Sequence, residues 1–168
     1  MKQLLLLSFV LLITLPVSAQ KQSKEEKIAI AKAAHETAVK CVENKSFVII
    51  PSSYTDKDGV IETNTENTNF ISYETTNLFM QGEIVCDNKY TNIAEVTEYT
   101  PAFDKKGNLR LRIVIIGRMV RGTYVISMRT NTNMADVIFT PQSGTIRKFS
   151  GPVVSVNTTK YYKRSSPM

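Results

Sequence analysis

The chain has 168 residues, 42% of them hydrophobic and 21% charged, and a formal net charge of +6. That apolar content excludes a disordered polymer, and the length suits one domain. The excess of Lys and Arg admits an anionic partner such as a nucleic acid, a lipid headgroup or an acidic glycan.

The opening stretch MKQLLLLSFVLLITLPVSAQ narrows that range. Lys2 precedes an apolar run from Leu4 to Leu15, Pro16 ends it, and Val17-Ser18-Ala19 places small residues at the −3 and −1 positions. This is the layout of a secretory signal peptide cut after Ala19. A run of about a dozen apolar residues is short of the roughly 20 that span a bilayer. No later stretch is long and apolar enough to span, and no cysteine sits at the cut for a lipid anchor. Removing residues 1–19 takes away one lysine and no acid, so +6 becomes +5. The expected organisation is a signal peptide over 1–19, a short leader over 20–22, one domain over 23–160 and a C-terminal tail over 161–168. The expected location is the periplasm or the medium, away from nucleic acid.

SKEEKIAIAKAAHETAVKCVENK follows. Ser23 with Glu26 three residues on is a capping box. At 100° per residue Ile28, Ile30, Ala31, Ala34, Ala38, Cys41 and Val42 share one broad face, opposite Glu25, Lys32, Glu36, Lys40 and Glu43. An amphipathic helix over about 23–43, resting on a body, is predicted.

Beyond Asn44 the period changes. SFVIIP is a short apolar run ended by Pro51 and predicts a buried strand. A turn-rich stretch around Asp58-Gly59 reads as a loop or loose hairpin. FISYETTNLFMQGEIVC reads as two strands, with Leu78, Met80, Ile84 and Cys86 alternating with Gln81, Glu83 and Asp87. Residues 87–94 read as a polar connection, and EVTEYT as a strand stopped by Pro101. LRLRIVIIG and GTYVISMR alternate as a hairpin, and MADVIFTP, GTIRKFSG and PVVSVNTTKYY read as three further short strands. Seven to nine strands after one helix, joined by links too short for βαβ crossovers, predict a mainly β fold. The architecture is an antiparallel meander closed as a small calycin/lipocalin-like barrel, or a sandwich, with one N-terminal amphipathic helix.

These segments carry a resemblance. Phe47, Asn69-Phe70-Ile71, Gly122-Thr123-Tyr124, Ala135 inside an apolar strand, and Phe149-Ser150-Gly151 are its markers. Over about residues 41–156 the chain resembles domain-of-unknown-function family 4251 of secreted bacterial proteins. Where that family has an Asp-Gly-like turn after the second strand, this chain has Glu74-Thr75-Thr76-Asn77. The resemblance implies a small exported domain with a barrel-like, calycin-type sheet. It implies no activity and no functional residue.

The side chains that could carry chemistry are few. Cys41 on the helix and Cys86 on an apolar strand face would both point between helix and sheet. An exported chain with two cysteines allows a disulfide closing a 46-residue loop, and the alternative is two buried free thiols. His35 is the sole histidine and falls on the apolar helix face, where packing and a hydrogen bond account for it. One histidine without clustered ligands makes no zinc site, and no serine sits in a Gly-x-Ser-x-Gly elbow. Asp56, Asp58 and Gly59 resemble the start of a calcium loop, but Val60 occupies a ligand position. Glu95 and Glu98, three apart on a strand, are expected to face opposite ways. No metal, cofactor or catalytic residue is therefore expected.

Arg110, Arg112, Arg118, Arg121 and Arg129 remain. Arg110, Arg112 and Arg129 are expected on the outer face of a hairpin, with Arg118 and Arg121 in its turn. They form a solvated face that discourages edge pairing, or a patch for an anionic partner. No interleaved aromatics make a nucleic-acid platform. The function expected is that of an exported, non-enzymatic cell-envelope β domain. It would bind a small apolar or amphipathic ligand, or an acidic envelope partner. The alternatives are a structural or interaction domain with a filled core, and an unrecognised hydrolase.

Overall fold

The computed structural model describes residues 23–55, 61–64 and 67–165. The signal-peptide segment and the Asp56, Asp58, Gly59 turn lie outside the described residues. Helix α1 spans Lys24–Glu43, and Ser23 Oγ accepts from the Glu26 amide at 3.1 Å. That bond satisfies one of the free first-turn donors, as the capping motif requires.

Among the described residues ten strands follow: β1 (Phe47–Ile49), β2 (Ser53–Thr55), β3 (Ile61–Thr63), β4 (Phe70–Glu74), β5 (Asn77–Gly82), β6 (Asn88–Phe103), β7 (Leu109–Gly117), β8 (Arg121–Met128), β9 (Met134–Pro141) and β10 (Arg147–Val154). A short helix, α2, spans Glu83–Cys86. Eight strands close a barrel in the order β1-β10-β9-β8-β7-β6-β5-β4, with β1 pairing back to β4. All the barrel pairs are antiparallel, and β2 and β3 form a separate hairpin between β1 and β4. The mainly β barrel with an N-terminal helix is as the sequence predicts, and the sandwich is not what forms.

Period-2 alternation builds the wall. In β7, Leu109, Leu111, Ile113 and Ile115 are buried while Arg110, Arg112 and Ile116 are exposed. In β9, Ala135, Val137 and Phe139 are buried. The inward side chains merge into one continuous core with Phe47, Ile49, Ile71, Tyr73, Leu78 and Met80. Tyr124 stacks on Phe139 with ring centroids 4.2 Å apart, a geometry worth about 0.5–1.5 kcal/mol beyond its buried area.

Each end of the barrel has its own cover. At one end the C-terminal half of α1 buries His35, Ala38 and Val42, and the Tyr99 hydroxyl donates to the Val42 carbonyl at 2.5 Å. Ile28 and Ile30 are 54% and 51% exposed, so only half of the predicted amphipathic face rests on the body. At the other end α2 buries Ile84, Val85 and Cys86, and the Tyr124 hydroxyl donates to the Val85 carbonyl at 3.2 Å.

Four local expectations are corrected. The second strand of the 70–86 stretch ends at Gly82, whose φ of +103° breaks the pleat and starts α2. Residues 88–94 are strand rather than connection, and β6 runs through Pro101 to Phe103. Pro101 is tolerated because pairing with β5 ends at Glu95, leaving one edge of β6 open beyond it. The register of β6 against β7 shifts between Val96 and Glu98, and this bulge puts Glu95 and Glu98 opposite Ile116 and Val114. Both acids thus share the outer face, where plain strand geometry would have separated them. Finally, GTIRKFSG and the start of PVVSVNTTKYY form a single strand, β10, running through Gly151-Pro152.

Beyond β10 the chain continues as a strap along the outer wall. Val154, Val156 and Tyr161 pack on Val48, Ile50 and Phe70, so β1 and β4 are buried on both faces. Gln81 fastens the strap, donating to Tyr162 O at 2.9 Å and accepting from the Arg164 amide at 2.7 Å. Residues 161–165 thus pack against the barrel wall.

Candidate functional site

Three connections meet at the α2 end of the barrel: the β7–β8 turn, the β9–β10 turn and the α2–β6 junction. Between them lies a cavity of about 440 Å³. Small-molecule sites fall in the range of roughly 300–1,000 Å³. Arg118 and Arg121 enter from the first connection, Gln142, Ser143 and Thr145 from the second, and Asp87 and Asn88 from the third. Arg147, the first residue of β10, completes the lining. Met119, Val120, Phe139 and Pro141 provide its apolar wall.

Arg147 is the central group. Its Nη2 lies 2.5 Å from Asp87 Oδ1, and its side chain is only 21% exposed. Its Nε is buried without a hydrogen-bond partner among the described residues. A buried guanidinium donor left unpaired costs about 1–3 kcal/mol or more. Asp87 adopts a left-handed φ of +58°, which aspartate tolerates, and this turn brings its carboxylate to Arg147. Arg121 Nε donates to the Gly117 carbonyl at 3.2 Å, which fixes that arginine at the rim.

The five arginines read from the sequence are split. Arg118 and Arg121 line the mouth cavity. Arg110, Arg112 and Arg129 are exposed on the wall. Arg112 is paired with Glu98 at 3.0 Å, so this part of the wall is partly neutralised. Arg147 was invisible as a site residue because its nearness to the β7–β8 turn comes from barrel topology and not from spacing.

Cys41 and Cys86 are not joined to each other in this structure, Cys86 being buried and Cys41 half-buried. Cys41 sits on α1 and Cys86 on α2, at the two covered ends. Burial pushes the Cys86 thiol up to about 12, against the smaller opposing effect of its hydrogen bonds with Asn88 and Asn92. A neutral thiol is no nucleophile. His35 Nδ1 donates to the Thr132 carbonyl at 3.0 Å, a packed and satisfied position at the α1 end. Among the described residues no three His, Cys, Asp or Glu side chains gather to hold a metal.

No family model matches the chain, and neither does any curated protein. A solved structure does: the crystal structure of a DUF4251 family protein from Bacteroides eggerthii is similar with a TM-score of 0.67. This chain has the fold of a DUF4251 family protein. The likeness covers 79% of this chain and 94% of that one at 19% identity. The family that the sequence resembles and the family of the matching fold are the same. DUF4251 denotes a domain of unknown function, so the likeness speaks to the fold and leaves the chemistry to the cavity.

Proposed function

We propose that this chain is an exported, non-enzymatic β domain of the cell envelope that binds a small anionic ligand at the α2 mouth of its barrel. The observation that carries the reading is the convergence of Arg118, Arg121 and Arg147 on one cavity, with Arg147 Nε buried and without an acceptor among the described residues. Guanidinium groups present planar forked donors that match carboxylate and phosphate oxygens. Export is supported by the leader pattern before Gln20. A non-enzymatic role is supported by the distance in the fold between His35 and Cys86, and by the neutral state of Cys86. A ligand inside the barrel is disfavoured by the continuous packed core. The same packed core favours a second reading, a structural or interaction domain that holds no ligand.

Native mass spectrometry of the protein recovered from the envelope of its own host tests the proposal. The expected result is a chain beginning at Gln20 with an added mass that leaves on denaturation and is missing from Arg118→Gln. A chain of bare mass sinks ligand binding in favour of the second reading, and a chain beginning at Met1 sinks export.

A further inference from the structure

The mouth cavity also has a chemical character that narrows its ligand, an inference that rests on the anion-binding reading above. Three guanidinium groups face one carboxylate there, a local balance of +2. A phosphate monoester carries about −1.5 to −2 near neutral pH, which a carboxylate or a sulfate ester does not reach. The donors are distributed to match. Arg147 keeps Nε without a partner while Nη2 holds Asp87. Arg121 lines the cavity and commits Nε to Gly117, with no hydrogen bond from its Nη atoms among the described residues. Arg118 is exposed, with no ion pair or hydrogen bond among the described residues.

The rest of the lining accepts and donates as hydroxyl groups require. Asp87, Asn88, Gln142, Ser143 and Thr145 surround the arginines. The Asp87 carboxylate would repel a second anionic group but accepts readily from an alcohol. An alkyl chain, by contrast, has nowhere to go. Beneath the cavity Phe139 is 2% exposed and stacked on Tyr124, whose hydroxyl is tied to Val85. Phe139 and Tyr124 thus floor this cavity against an inserted lipid tail.

We propose that the mouth takes the phosphomonoester of a small hydroxylated compound, such as a sugar phosphate, with the phosphate on Arg118, Arg121 and Arg147 and hydroxyls on Asp87 and Asn88. Isothermal titration calorimetry on residues 20–168, which contain every described part of the barrel, tests it. The probes are glucose 6-phosphate, glucose 6-sulfate, inorganic phosphate, glucose and dodecanoate.

Glucose 6-phosphate is expected to bind one per chain with a Kd below about 1 mM. Arg118→Gln should weaken it by about tenfold or more, the loss of one charge-assisted bond. Arg118 is exposed and makes no hydrogen bond or ion pair among the described residues, so this variant should keep its structure, and Arg110→Gln on the wall should leave binding unchanged. Glucose 6-sulfate and inorganic phosphate should bind at least about tenfold more weakly, and glucose and dodecanoate should give no heat. If dodecanoate or the sulfate binds best and loses affinity in Arg118→Gln, the anion site stands and the phosphomonoester class falls. If no anion binds, the anion-binding reading falls as well. Binding of glucose 6-phosphate that Arg118→Gln leaves unchanged places the ligand elsewhere and overturns the site.

Discussion

The Tyr161 hydroxyl donates to Oε1 of Glu74 across 2.7 Å, joining the strap to β4 over 87 positions of sequence. Lys163 Nζ holds the other oxygen of the same carboxylate at 2.8 Å and stands 3.9 Å from the Phe79 ring centroid. Burial by itself would raise the Glu74 carboxyl. The hydrogen bonds from Lys163, Ser72 and Tyr161 outweigh it and hold the group below its ordinary 4.5. Tyr161 moves the other way, to about 12, through burial and its bond to the Glu74 carboxylate.

Strap stability should therefore peak between two limits. The Glu74 contribution is present above pH 4.5 and lost as pH falls through its lowered folded value. The Tyr161 contribution is fully present below pH 10.0 and lost as pH rises through about 12. Hydrogen exchange of the Thr91 amide, which donates to Arg164 O at 3.0 Å, reports strap attachment. Protection at Thr91 should fall below about pH 4.5, and Glu74→Gln should lower it already at pH 7. Equal protection at pH 3 and pH 7, after correction for intrinsic exchange, would contradict this account.

At the α1 end of the barrel, Tyr99→Phe should destabilise the domain by about 1–2 kcal/mol in urea. The change removes the bond to the Val42 carbonyl and keeps the ring, which meets Tyr73 edge-on at 5.3 Å. The m-value should stay constant, since the buried surface is unchanged. A midpoint equal to that of the parent protein means that water replaces the hydroxyl at no cost.

Gly82→Ala should be more damaging, by at least about 2 kcal/mol. A Cβ at Gly82 would lie 1.9 Å from Asn69 Oδ1 and 2.9 Å from Asn69 Cα, at a φ of +103° that favours glycine. Asn69 also accepts from the Ile84 amide at 3.2 Å, so displacing it frees the start of α2. Thermal unfolding measures the loss, and a melting temperature within a degree of the parent's refutes it.

The two thiols should differ in reactivity. Burial raises both, Cys86 up to about 12, while Cys41 is only partly buried. Native alkylation at pH 8 should label Cys41 first and leave Cys86 protected until the fold opens. Denatured, unreduced protein should take up two labels, and uptake of none would establish a disulfide instead.

Much of this fold was legible because its walls obey simple periods. The alternation of Leu109, Leu111, Ile113 and Ile115 with the arginines marks β7 directly, and Ser23 marks the start of α1. Legibility failed where backbone irregularity resets the phase. Leu78, Met80, Ile84 and Cys86 keep a period of two on paper, but Gly82 turns the last two into a helix. The bulge near Thr97 moves Glu98 to the face of Glu95. Gln81 has the outward phase of a solvent residue and is nonetheless buried, because the strap crosses it. The mouth cavity was half legible, since Arg118 and Arg121 are neighbours in the chain. Arg147 and Asp87 join them only through closure, which no local pattern encodes.

That closure has a consequence in time. The ring is sealed by β1, three residues long, against the end of β10, with Val48 opposite Val154 and Ile49 opposite Val153. While the chain is being made, β1 and β4 to β9 can assemble only as an open sheet with bare edges at β1 and β9, and such edges invite wrong partners. The partner for β1 on that side arrives more than a hundred residues later, a separation that makes folding slow. The strap follows at once and covers the outer side of the seam. One short run of late-emerging residues thus both shuts the ring and bolts it.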